Sequence, residues 1–98
     1  MILETTNYHP LPGKEDEVLA QRRKVTAIRM ALGLDPGEIF VRLEAKGAAV
    51  KWECRFADLA QFEADMTARA GSSAFVAARD QMHRLLQGFE RHLHTSAD

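Results

Sequence analysis

The sequence predicts an α+β domain in which four short strands form one antiparallel sheet with helices on a single face. Three observations carry that expectation. From Val50 to Phe56, apolar Val50, Trp52, Cys54 and Phe56 alternate with charged Lys51, Glu53 and Arg55, the period of two expected of a half-buried strand. At Asp58 the period becomes helical: Leu59, Phe62 and Met66 recur on one face behind an N-cap aspartate, and Gln61 stands where a capping box places its reciprocal partner. Extended and helical patterns then alternate along the whole chain, with no linker, repeat or low-complexity segment to mark a second domain, so residues 1–98 read as one unit.

In chain order, Ile2 to Tyr8 is rich in threonine and apolar residues and stops before His9-Pro10, where proline disfavours helix, so it reads as the first strand. Leu11-Pro12-Gly13 is a turn. A helix from about Lys14 to Leu32 opens on Glu15, Asp16 and Glu17, which complement its positive end. Val18, Val25, Ile28 and Leu32 make its apolar stripe, Gln21 lies on that stripe, Arg22 and Arg29 run along one edge, and Gly33 is placed as the C′ residue. At 1.5 Å per residue the helix is roughly 28 Å long, enough to cross a sheet. After the Asp35-Pro36-Gly37 turn, Glu38 to Ala45 alternates as a second strand, with Ile39, Val41 and Leu43 on one side. Lys46-Gly47 joins it as a hairpin to the strand beginning at Ala48. The Asp58 helix breaks at Gly71, Ser72 and Ser73 cap another carrying Phe75, Met82 and Leu86, and Gly88 ends it. Phe89 to Thr95 alternates as a fourth strand, with Ser96 to Asp98 frayed. This order gives a ferredoxin-like βαββ(αα)β arrangement with an ionic, uncovered reverse face.

Composition sets the limits. A 98-residue domain buries only about 60–70% of its unfolded surface, so its core is modest and a partner would enlarge it. No apolar run approaches the ~20 residues a bilayer requires, and the first fifteen residues lack a signal peptide's charged start and apolar core, so the expectation is a cytoplasmic protein with no membrane partner. A net charge of −1 argues against nucleic-acid partners, which need a basic surface. The single cysteine, Cys54, cannot make an internal disulfide and falls on the apolar strand face, as a small inert hydrophobe would.

With Pro12-Gly13-Lys14 closing the first strand, Val50-Lys51-Trp52-Glu53 running into Leu59-Ala60-Gln61-Phe62, and Ser72-Ser73-Ala74-Phe75 starting a helix, the chain resembles the dimeric α+β barrel superfamily. That superfamily includes antibiotic-biosynthesis monooxygenases, NIPSNAP-type proteins and haem-degrading monooxygenases. The resemblance covers nearly the whole chain and implies a homodimer that presses two open sheet faces into a barrel. It also implies a small-molecule ligand in the gap between each sheet and its own helices, lined here by Leu3, Thr5, Asn7, Trp52 and the inward helix faces. Haem-degrading members use a first-strand asparagine, matched by Asn7, but also a tryptophan in the second helical region and a histidine iron ligand. Here Trp52 is on the third strand, and Arg79 holds the position four beyond Phe75, with His83 one turn further on. Haem degradation therefore ranks behind the other readings.

Arg79 stands out on physical grounds, since it falls close to the Phe75, Met82 and Leu86 stripe and a charge there needs a partner. It is the candidate to bind a carboxylate or phenolate, with Arg22 or Arg29 nearby. The plainer reading is a stem along the core with the guanidinium in water or paired with a protein carboxylate. Trp52 is the candidate wall, or simply core. Asn7, His9 and His83 are the candidate hydrogen-bonding and proton-transfer groups. Glu90, His92 and His94 share a strand face and suit a facial metal site by type, but they step by nearly 7 Å, and three such residues rarely reach one ion from a single strand, so a metal ranks low. The leading function is a monooxygenase- or cyclase-type enzyme, with no bound metal or other cofactor, acting on a flat, aromatic, anionic substrate between sheet and helices. The alternative is a non-catalytic homodimeric binding or accessory module whose gap is filled by Trp52, Phe62 and Phe75. A formed pocket with convergent polar groups separates the two.

Overall fold

A computed structural model describes all 98 residues, Met1–Asp98. Its elements are β1 (Ile2–Pro10), α1 (Glu15–Ala31), β2 (Glu38–Val41), β3 (Val50–Phe56), α2 (Leu59–Ala70), α3 (Ser73–His83) and β4 (Leu86–Thr95). The strands form one sheet in the order β2-β3-β1-β4, every neighbouring pair antiparallel, with the three helices on one face. This is the ferredoxin-like architecture that the strand and helix periods predict.

Local chemistry sets the element ends. Asp58 accepts a hydrogen bond from the Gln61 amide at 2.9 Å, and the Gln61 side chain returns to the Ala57 amide at 3.0 Å, so the reciprocal box reaches one residue further back than the usual pattern. Ser72 caps α3 by accepting from the Phe75 amide at 3.1 Å. Gly33, at φ +76°, closes α1 in a Schellman motif: its amide donates to Met30 at 3.0 Å and that of Leu34 to Arg29 at 2.9 Å.

The alternation on β3 is read out in burial. Val50, Trp52, Cys54 and Phe56 are each 5% exposed or less, and the charged residues between them face the other side. These four join Tyr8, Val18, Phe62 and Met82 in the main core, and a smaller cluster of Val25, Phe75 and Ala78 lies where α1 meets α3.

Three boundaries depart from the sequence reading. β2 stops at Val41 instead of Ala45, and Leu43 is fully exposed. There the edge strand has nothing to pack beneath it, and Arg42 closes the loop onto the Gly47 carbonyl at 3.0 Å. α3 ends at His83 rather than near Gly88, so Leu86 belongs to β4 and not to a helical stripe. The ladder between β1 and β4 wins these residues, pairing Tyr8 with Phe89, His9 with Gly88 and, beyond a bulge, Pro10 with Leu86. β1 itself runs two residues further, to Pro10.

Candidate functional site

Between sheet and helices lies a cavity of about 230 Å3. Its floor comes from alternate residues of β1, Glu4, Thr6 and Tyr8, with Trp52 of β3 and Phe89 and Arg91 of β4. Thr6 pairs with both Trp52 and Arg91, so all of these side chains rise on the helix-facing side of the sheet. Its walls include Arg22, Val25 and Arg29 of α1, Met66 and Arg69 of α2, and Phe75, Arg79, Met82 and His83 of α3. Five of the lining side chains are arginines.

Three of these arginines share two buried carboxylates. Arg29, fully buried, donates to both Asp65 oxygens at 3.0 and 2.7 Å, and its Nε donates to the Asp35 carbonyl at 2.8 Å. Arg69 donates to Asp65 at 2.6 and 2.9 Å and forks onto Glu4 at 2.8 and 3.0 Å. Arg91 Nε completes the chain, 2.7 Å from Glu4. Burial raises the Glu4 carboxyl's pKa, but hydrogen bonds and charge from Arg69, then Arg91, outweigh it and hold the group below its ordinary value. Asp65 is likewise raised by burial and lowered further by Arg29 and Arg69. The two carboxylates in turn lift the Arg69 guanidinium above its usual pKa despite its desolvation.

Arg22 is different. It is 4% exposed, donates from Nη1 to the Tyr8 hydroxyl at 3.1 Å and from Nη2 to Thr26 Oγ1 at 3.4 Å, and its Nε has no partner. No carboxylate pairs with it. Desolvation pulls its pKa down, opposed by Tyr8 and reinforced by the charges of Arg29 and Arg69. Its guanidinium carbon lies 4.4 Å from the centre of the Trp52 ring, and that of Arg29 lies 4.9 Å away. The indole is pinned by its own N–H, which donates to the Pro36 carbonyl at 2.9 Å.

The residues singled out from sequence divide between the two sides of the sheet. Trp52, Arg22, Arg29, Arg79 and His83 line the cavity. Arg79 stands at its rim, 52% of its side chain exposed and 3.9 Å from Asp80, because Ala78 and not Arg79 takes the inward place between Phe75 and Met82. His83 is exposed at the end of α3 and stacks on Phe89, ring centres 4.8 Å apart and 8° from parallel. Asn7 and His9 lie on the opposite face, as do Leu3 and Thr5. Asn7 pairs with Lys51 and Glu90, and His9 reaches Glu90 at 2.8 Å. The expectation that Leu3, Thr5 and Asn7 line the cleft beside Trp52 is therefore corrected. The strand period of two makes the even residues of β1 share a face with Trp52, and without the β1–β3 register the parity is undetermined. Glu90, His92 and His94 also belong to that reverse face. Sequence reasoning missed Glu4, Tyr8, Asp65 and Arg69. The i, i+4 spacing of Asp65 and Arg69, on the stripe that begins at Phe62, was the available signal.

No family model matches the chain, and no curated protein matches it. Solved structures do. A NIPSNAP family protein from Agrobacterium tumefaciens superposes with a TM-score of 0.80 at 20% identity, over 99% of this chain and 93% of that one. An uncharacterised NIPSNAP domain protein from Burkholderia xenovorans gives 0.78 at 16% identity, over 99% and 95%. A structure described as an antibiotic biosynthesis monooxygenase gives 0.75 at 15% identity, with the whole of both chains covered. At these identities the likeness is one of fold, and the fold is the one that NIPSNAP proteins and antibiotic biosynthesis monooxygenases share.

Proposed function

We propose that the chain is a small-molecule enzyme of the monooxygenase or cyclase type, taking a flat, aromatic, anionic substrate into the cleft between sheet and helices. The observation that carries this reading is the charge of the cleft. Five arginines line an otherwise apolar cavity; three of them share the two buried carboxylates Glu4 and Asp65, Arg79 stands 3.9 Å from the exposed Asp80, and Arg22 has no carboxylate at all, so the lining keeps a net positive charge. At about 230 Å3, below the ~300–1,000 Å3 of drug-sized sites, the cavity suits a compact ligand. Trp52, Phe75, Met82 and Phe89 supply apolar walls, Arg22 and Arg79 the attraction for acid groups, and His83 and the Tyr8 hydroxyl the means to accept and donate protons. An open cavity is not the expected form of the accessory module, whose cleft would be closed by its own side chains.

The same reading makes the working unit a homodimer joined through the reverse sheet face, with Asn7 and His9 at the junction instead of in the cleft. The test is incubation of purified protein with a panel of phenolic and polycyclic aromatic acids, in air and under argon, followed by mass spectrometry. Gain of one oxygen with loss of two hydrogens, only in air, identifies an oxygenase in which the substrate itself supplies the two electrons and two protons that reduce the second oxygen atom to water, and loss of one water in either atmosphere identifies a dehydrative cyclase. Saturable binding with no turnover across the panel would move the protein to the accessory class.

A further inference from the structure

Of the five cavity arginines, three already have buried carboxylate partners, Arg29 with Asp65, Arg69 with Asp65 and Glu4, and Arg91 with Glu4, and a fourth, Arg79, has the exposed Asp80 at 3.9 Å. Arg79 stands half in solvent at the rim, where water screens its charge. Arg22 is the exception, a guanidinium nine-tenths and more buried that borders the cavity with no carboxylate beside it. It has five N–H donors, and the structure matches one on Nη1 and one on Nη2, leaving three, the Nε hydrogen among them, without an acceptor. The Trp52 face beneath it offsets part of the cost of burial but supplies no acceptor. A buried, unmatched cation is costly unless something else completes it.

We infer that Arg22, steadied by the Tyr8 hydroxyl, is the anchor for the acidic group of the cleft's ligand, which enters acid end first and leaves its ring against Met82 and Phe89. This rests on the proposed cleft reading and deepens it, because it names the group that selects for charge. It also reverses the order the sequence suggested, with Arg79 a screened contact at the mouth and Arg29 wholly engaged within the protein.

The test uses salicylate and its neutral analogue 2-hydroxybenzyl alcohol, titrated against the full chain. Quenching of Trp52, the only tryptophan, is the first readout and thermal unfolding the second. Salicylate is expected to bind saturably and at least about tenfold more tightly than the alcohol. Arg22→Met should weaken salicylate by roughly 10- to 100-fold, the worth of a hydrogen-bonded buried charge, and leave the alcohol unchanged. The decisive point is the free protein: Arg22→Met should melt at the same or a higher temperature than wild type, since it removes an unmatched charge. Arg23→Met, one residue along on the exposed side of α1, should change neither affinity. If Arg22→Met melts lower or fails to fold, or binds salicylate as wild type does, Arg22 is structural and the inference falls. If the alcohol binds as well as salicylate, the anchor falls and the aromatic cleft stands. If neither binds, both fall.

Discussion

Arg69 grips Glu4 with two parallel hydrogen bonds, Nη2 to Oε1 at 2.8 Å and Nη1 to Oε2 at 3.0 Å, in a pair whose side chains are 11% and 1% exposed. The contact joins residues 65 positions apart and ties the interior strand β1 to α2 across the floor of the cavity. Because Arg69 also holds Asp65, which holds Arg29, one connected set of ion pairs couples β1, α2 and α1. The cleft is thus kept open by polar groups that satisfy one another instead of being filled by apolar ones.

Breaking that set should be expensive. Arg69→Leu leaves Glu4 with only Arg91 and Asp65 with only Arg29, inside the protein. The loss of one partner from a buried pair costs on the order of 3–5 kcal/mol, a large share of the stability of so small a domain. Urea unfolding followed by Trp52 fluorescence checks this, and a cost below about 1 kcal/mol would show the set to be dispensable.

Acid should act through the same groups. Glu4 and Asp65 both titrate below their ordinary values when folded, so over the carboxylate range the unfolded chain binds more protons than the folded one. Their contribution is complete above the unfolded carboxylate pKa values, about 4, and is lost as pH falls through the lower folded ones. The urea midpoint should hold between pH 7 and about 5 as far as these two groups govern it, then fall as pH drops further. Glu4→Gln, one titrating group short, should show a shallower fall, and an unaltered profile would assign the acid sensitivity elsewhere.

What was legible in the sequence follows from the range of the interactions involved. The β3 alternation, the Asp58–Gln61 cap, the Ser72 cap and the Gly33 stop are local, and each is present in the structure. The misplaced end of α3 is the opposite case. Phe75 to Leu86 has an acceptable helical stripe, and only pairing with β1, some 75 residues upstream, takes Leu86 and Gly88 into a strand. The candidate site failed in the same way. Trp52, Arg22 and His83 were found because they lie on recognisable stripes, whereas Glu4 and Tyr8 could be told from Asn7 and His9 only with the register in hand. Arg69 stands on the stripe that begins at Phe62, but its partner Glu4 lies 65 positions away on another element, and nothing local in the sequence joins the two.

Gly37 should prove the least replaceable glycine. It sits at φ +65°, and a Cβ added there would lie 2.5 Å from both the Glu53 carbonyl oxygen and Trp52 Nε1, where neither backbone nor pinned indole can yield. Gly47 also has a positive φ, +87°, but nothing within 4 Å of an added Cβ. Gly37→Ala should therefore cost clearly more than Gly47→Ala, which carries only the backbone strain of about 1 kcal/mol. Gly37→Ala should also shift Trp52 emission. Equal melting temperatures for the two variants would mean that the loop ahead of β2 relaxes freely.

The reverse face of the sheet yields the last prediction. β1 is one of its two interior strands, and Thr5, 7% exposed, is flanked there by Glu53 and His92, with Asn7 between Lys51 and Glu90 one step along. All three helices pack on the other face, so a broad surface of both charge signs stands uncovered on a chain whose own core is small. A second copy related by a two-fold axis can set positive groups against negative ones across such a surface, as an isologous interface requires. The chain, 11.0 kDa alone, should therefore sediment at about 22 kDa at micromolar concentration. Thr5→Arg, at the centre of the face, should shift it toward monomer with the far-ultraviolet circular dichroism of the folded protein retained. A wild-type chain that stays at 11 kDa at these concentrations would remove the dimer, and a Thr5→Arg dimer as tight as wild type would move the interface off this face.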